Sequence, residues 1–126
     1  MKYLIFLLFT PTLFSMDMKL NCENVQSVHY EKGKKSGIST YYYDNGNKSS
    51  IKTFKNDILN GMYIEYYFNG NKRCRGKMTN DIMDGKWTFW YHNGRKELEC
   101  EFFRGEVSNM AKIWNDRGEL KKELKA

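Results

Sequence analysis

Apolar and polar residues alternate along most of this chain. In Gly85-Lys86-Trp87-Thr88-Phe89-Trp90-Tyr91 one parity carries Trp87, Phe89 and Tyr91, and after Asn93-Gly94 the same alternation resumes through Leu98, Cys100 and Phe102. Side chains that alternate with a period of two line opposite faces of a β-strand, so this pattern predicts short strands with one face turned to a core. Asn-Gly between two such runs is a strong hairpin signal. A two-residue type I′ turn needs positive φ at both central residues, which Asn and Gly tolerate best.

The hairpin is written several times. Gly46, Gly70, Gly94 and Gly118 recur every 24 residues, three of them after Asn, and are expected as turn glycines. Gly37, Gly61 and Gly85 keep the same interval, with Asn109 in the fourth place. Tyr42, Tyr66, Trp90 and Trp114 share one repeat position, Tyr43, Tyr67 and Tyr91 the next, and Tyr30, Phe54, Met78 and Phe102 another. Each unit reads as strand, tight Asn-Gly turn, strand, then a wider loop such as Asn56 to Gly61. The division is a half repeat over 22–36, repeats over 37–60, 61–84 and 85–108, and a degenerate repeat over 109–125. The expected fold class is all-β, an elongated antiparallel β-meander of stacked 24-residue hairpins with up to nine strands. Its ends need capping, and Lys121, Lys122 and Lys125 suit an exposed last strand.

With a two-residue turn in the third unit, Phe89 faces Leu98 and Trp87 faces Cys100. The core face then carries these with Tyr91 and Phe102, and in the second unit Tyr63, Tyr67, Cys74 and Met78. Glu65 falls on this face without an explanation. The opposite face carries the ladder Tyr42, Tyr66, Trp90, Trp114, flanked by Arg73, Arg75 and Lys77 in one unit and Glu97, Glu99 and Glu101 in the next. The two charged rows are expected to pair and set the order of the units. The ladder has two readings, packing between units or an exposed strip for a partner. In the second reading Tyr42, Tyr66, Trp90, Trp114, Arg73 and Arg75 are the candidate binding residues.

The first residues depart from this alternation. Lys2 precedes an apolar run from Tyr3 through Phe9 to Phe14, too short to span a bilayer and shaped like a secretory signal. Residues 1–15 are therefore expected to be an export signal cleaved after about Ser15, leaving residues 16–126 as the repeat domain, periplasmic, envelope-bound or secreted.

Composition narrows the chemistry. The formal charge is +6 with fifteen acids interspersed among twenty-one Lys and Arg, which favours anionic partners in general but shows no nucleic-acid-like basic run. Cys22, Cys74 and Cys100 make an odd count, so at least one thiol stays unpaired or intermolecular. Cys74 and Cys100 share the core face with a strand between them, ~10 Å apart and beyond disulfide reach. His29 and His92 fall in different repeat positions, no metal-ligand spacing appears, and Asn56-Asp57 and Asn80-Asp81 read as turns, not calcium loops. No nucleophile, base or phosphate loop converges, so the chain is expected to be no enzyme, with no cofactor, no nucleic acid and no small-molecule substrate.

The units Gly61-Met62-Tyr63-Ile64-Glu65-Tyr66-Tyr67-Phe68-Asn69-Gly70 and Gly85-Lys86-Trp87-Thr88-Phe89-Trp90-Tyr91-His92-Asn93-Gly94 resemble the MORN repeat (membrane occupation and recognition nexus) in its bacterial variant. Gly37 to Gly46 resembles it with Ser39 for the first aromatic. The resemblance covers residues 25–124 and implies stacked hairpins. The function expected is a non-catalytic module for protein–protein interaction or scaffolding in the bacterial cell envelope. The alternatives are an antitoxin-like partner that neutralises a toxin, as the resemblance implies, or attachment to an anionic membrane surface.

Overall fold

In a computed structural model the described residues, 2–7 and 25–125, form one open antiparallel sheet of eleven strands. They are β1 (Lys2–Leu7), β2 (Val25–Glu31), β3 (Lys34–Lys35), β4 (Gly37–Tyr42), β5 (Lys48–Lys55), β6 (Ile58–Tyr66), β7 (Lys72–Thr79), β8 (Ile82–Trp90), β9 (Lys96–Phe103), β10 (Glu106–Trp114) and β11 (Leu120–Leu124). Strand order follows the chain, with β3 a short partner of β2 off the main path. Two strands exceed the expected nine: β3, and β1 in the segment read as an export signal. β1 pairs along its length with β2, from Lys2 opposite Tyr30 to Leu7 opposite Val25. A strand edge presents unpaired N–H and C=O groups to any extended segment within reach. Cys22 and the expected cleavage point after Ser15 lie outside the described residues.

The two kinds of turn exchange roles relative to the expectation. The tight two-residue type I′ loops are Lys32-Gly33, Asn56-Asp57, Asn80-Asp81 and Arg104-Gly105, where both residues have positive φ, for example 51° and 68° at Asn56 and Asp57. The Asn-Gly turns are one residue longer. In the second unit Gly70 N donates to Tyr67 O at 2.9 Å and Tyr67 N to Asn71 O at 2.8 Å, enclosing Phe68, Asn69 and Gly70. Only the glycine takes positive φ there, 92° at Gly70, the pattern of a type I turn closed by a left-handed glycine. Asn69 has a different task. Its Oδ1 accepts from Asn71 N at 3.0 Å and its Nδ2 donates to His92 O of the next unit at 2.8 Å. Gly70→Val should cost more than ~1 kcal/mol, because a β-branched residue resists this φ. Asn71→Val should cost less, since it loses only an exposed bond to His92 O. Equal urea midpoint shifts for the two variants would place the turn elsewhere.

Gly61 and Gly85, expected in wide loops, lie inside β6 and β8 at bulges. The pairing slips between Lys52 and Phe54 on one unit's partner strand, and between Arg75 and Lys77 on the next. A third slip, between Val107 and Ala111, brackets Asn109. The expected register survives, since Phe89 faces Leu98 and Trp87 faces Cys100.

The core lies on the face predicted from the alternation. Cys74, Met78, Trp87, Cys100 and Ala111 are buried and are packed by Leu59, Tyr63, Met83, Phe89, Leu98 and Phe102. Tyr67 and Tyr91 are not part of this cluster. Trp87 is 2 % exposed although the sheet is a single layer. The reason is Gly76 on the neighbouring strand: a Cβ there would lie 2.1 Å from the Trp87 ring. The indole therefore lies flat against backbone, with Tyr63, Phe89 and Phe102 around it at 5.8, 6.1 and 6.2 Å between ring centroids. Its Nε1 donates to Lys77 O, at the slipped pairing, at 3.1 Å. The equivalent pairs in the neighbouring units are Lys52 with Tyr63 and Cys100 with Ala111, so only this unit combines a glycine with a tryptophan.

Candidate functional site

Repeat contacts along both rims hold the units in register. On one rim the second Tyr of each unit donates to the ladder residue of the next. Tyr43 Oη reaches Tyr66 O at 2.7 Å, Tyr67 reaches Trp90 O at 2.8 Å and Tyr91 reaches Trp114 O at 2.9 Å. Asn45, Asn69 and Asn93 add parallel bonds to Phe68 O, His92 O and Asp116 O, each 2.8 Å. On the other rim Asp57 and Asp81 accept from Lys35 N and Leu59 N at 2.7 and 2.8 Å. Each bond ties a strand-end or turn group of one unit to a side chain of its neighbour.

Tyr42, Tyr66, Trp90 and Trp114 all fall on the face opposite the core and are half-buried. They do not stack on one another. Their cross-strand partners are Lys48, Lys72, Lys96 and Leu120. The row therefore alternates aromatic and lysine, strand by strand. Lys72 Nζ lies 5.9 Å from the Trp90 ring centre and Lys96 Nζ 5.9 Å from that of Trp114, so each ammonium reaches from its own hairpin to the aromatic of the next. These lysines were not among the residues expected at the strip. The pairing shifts by one residue between Glu65 and Tyr66 and at the equivalent place in neighbouring hairpins, which moves the lysine beside the aromatic.

The same shift separates Arg73 from the ladder. Arg73 Nη1 approaches Glu65 Oε2 at 3.9 Å, and Glu65 Oε1 accepts from Tyr63 Oη at 2.5 Å. Glu65 thus has two partners on the core face. Arg75 stays on the ladder face, opposite Ile64 and Thr88. The expected pairing between charged rows does not form among the described residues. Lys77 turns instead to Asp84 at 3.6 Å, Lys112 to Glu123 at 3.7 Å, and Glu99 to Lys96. Lys77 with Asp84 and Lys112 with Glu123 are direct cross-strand neighbours and Lys96 with Glu99 share β9, so each charge takes a partner nearer than one two strands off.

No family model matches this chain, and no curated protein is similar to it. Its own geometry carries the assignment of surfaces.

The ladder face also carries an apolar band toward the opposite rim. Ile38, Met62 and Met110 occupy equivalent repeat positions, and Ile58, Ile82 and Phe103 lie beside the tight turns. They are exposed by 36 to 67 %. Lys77, Lys86 and Glu101 interleave with them. A groove of about 600 Å³ over the C-terminal strands is lined in part by Lys86, Glu101, Met110 and Glu123. Among the described residues no three His, Cys, Asp or Glu side chains come together to hold a metal ion.

Cys74 and Cys100 are buried and free. Burial, with help from the Glu65 carboxylate, pushes the Cys74 thiol up to about 11 from an ordinary 9.0. Burial also raises Cys100, and burial followed by the hydrogen bond to Glu65 raises the Tyr63 phenol. Both thiols are therefore protonated and poor nucleophiles at neutral pH. A raised folded-state value means that the stabilisation is complete below the unfolded value and is lost as pH rises through the folded one. Stability should hold to about pH 9 and fall between pH 9 and 11 for Cys74. Replacing Cys74 with Ala should flatten that part of the urea midpoint against pH. An unchanged alkaline slope would rule out the thiol as its source.

Proposed function

We propose that this chain is a MORN-like, non-catalytic interaction module of the bacterial cell envelope. In this reading it docks a protein partner on the ladder face. The exposed apolar band carries the reading. Six large apolar side chains, Ile38, Ile58, Met62, Ile82, Phe103 and Met110, share one face of a sheet whose other face already holds the core. Scattered exposed apolar residues are ordinary, but a repeating band on one face, rimmed by charges, is the profile of a docking surface. The ladder residues Tyr42, Tyr66, Trp90 and Trp114 and Arg75 border it. Rim hydrogen bonds between units hold the surface rigid, which lowers the ordering cost of binding.

The test is photo-crosslinking in the native host from position 62 or 82, with crosslinks from the turn residue Asn47 as background. Adducts to one envelope protein from the band, lost in a Met62→Glu, Ile82→Glu variant of unchanged thermal midpoint, support the reading. Adducts that match the Asn47 background overturn it. Mass spectrometry of the mature N-terminus checks the export step. An intact Met1 in the soluble cytoplasm would favour the toxin-neutralising alternative. Sedimentation with anionic vesicles that falls with salt would favour the membrane alternative.

A further inference from the structure

The aromatic and lysine row is chemically unlike the apolar band, and its spacing is regular. Tyr42, Lys48, Tyr66, Lys72, Trp90 and Lys96 sit on successive rows of one sheet face, as the register pairs Tyr42 with Lys48, Tyr66 with Lys72 and Trp90 with Lys96. Neighbouring strands lie ~4.8 Å apart, so like groups recur every ~9.6 Å along the row. The pitch is held by the rim bonds from Tyr43 and Tyr67 to the carbonyls of Tyr66 and Trp90. The rings are half-buried, and Lys72 Nζ stands 5.9 Å from the centre of the Trp90 ring, so ammonium and ring face the same space. Lys48 and Lys72 make no ion pair among the described residues, whereas Lys96 is held by Glu99.

We propose that this row is a binding track for a linear glycan in which neutral and carboxylate-bearing pyranose rings alternate. Three features select that chemistry. The apolar C–H face of a pyranose ring can be buried against an aromatic ring, and a carboxylate pairs with an ammonium. One carboxylate per disaccharide recurs at about the pitch of one lysine per two strands. Other polymers miss that pitch. Duplex nucleic acid carries a charge every ~1.7 Å, far denser than this row of ammonium groups. An extended polypeptide returns a side chain to one face every ~6.8 Å, out of step with the rungs. The protein as a whole carries +6, which adds a favourable long-range field for a polyanion. The track is separate from the apolar band, so it stands whether or not a protein docks there.

The full chain titrated with hyaluronan oligosaccharides, which alternate N-acetylglucosamine with glucuronate, tests the proposal by calorimetry and by the change in tryptophan fluorescence, to which Trp90 in the row contributes. Chitin oligosaccharides of equal length supply the neutral control, and polyglutamate and single-stranded DNA supply charge without pyranose rings along the backbone. Saturable binding of hyaluronan, about tenfold tighter than chitin and weakened by salt, is expected. The Lys48→Gln, Lys72→Gln double variant should lose about tenfold in hyaluronan affinity at unchanged thermal midpoint, keeping its chitin affinity. Met62→Glu should change neither. Equal affinity for chitin, equal or tighter affinity for polyglutamate or DNA, no detectable hyaluronan binding, or indifference to the double variant would each overturn the track.

Discussion

Trp87→Ala is expected to destabilise the sheet by ~3 to 5 kcal/mol, the range for removing a large buried aromatic. The core of a single-layer sheet has few alternatives to offer. Trp87 is 2 % exposed, touches Tyr63, Phe89 and Phe102, and closes the surface between Cys74, Met78 and Cys100. Its loss also removes the donor to Lys77 O, which sits at a slipped pairing. A loss of ~4 kcal/mol is a large share of a small domain's ~5 to 15 kcal/mol, so the variant should unfold at a much lower urea concentration. Urea unfolding followed by circular dichroism checks it. A midpoint shift equivalent to less than ~1 kcal/mol would mean that Trp87 is not the keystone of this core.

Gly76→Val is expected to be of similar size, ~3 kcal/mol or more, for the complementary reason. A Cβ at position 76 would lie 2.1 to 2.5 Å from three atoms of the indole, Cδ2, Cε2 and Cγ. Neither a strand backbone nor a ring packed on three sides can yield by that much, so the ring must leave its site. Gly76 shows no positive φ, which makes this a packing requirement and not a conformational one. The double variant separates the two. In a Trp87→Ala background the same Gly76→Val change should cost little, because the clash has gone. The equivalent position holds Lys52 and Cys100 in the neighbouring units, so the backbone there accepts a side chain where no tryptophan faces it. Additive effects in the double-mutant cycle would refute the coupling.

These two residues also show how far one unit depends on the next. Trp87 lies on β8 and Gly76 on β7, and the rim bonds from Tyr67, Asn69 and Asp81 reach 22 or 23 residues along the chain. A lone hairpin cannot bury its aromatic face, and here it also leaves its turn carbonyls without donors. Stability therefore resides in the contacts between units, as expected for a repeat array.

The all-β class, the 24-residue period, the cross-strand pairs Phe89 with Leu98 and Trp87 with Cys100, and the face that holds Cys74 and Met78 were legible in the sequence. The pairs and the core face follow from a period of two counted away from a turn, and the longer Asn-Gly turn leaves them in place because the one-residue slip beside Trp90 offsets its extra residue. Three matters were decided by the tertiary structure. Asn69 serves the next unit's carbonyl and not a left-handed turn, because His92 O comes within reach only when two hairpins stack. Lys72 joins the aromatic row and Arg73 leaves it for Glu65, because a one-residue slip reverses parity locally and the alternation shows no trace of it. The nesting of Trp87 on Gly76 joins residues on adjacent strands across a bulge. A glycine in a strand signals a close approach, but which side chain approaches depends on the pairing of two strands, and only the assembled sheet supplies that.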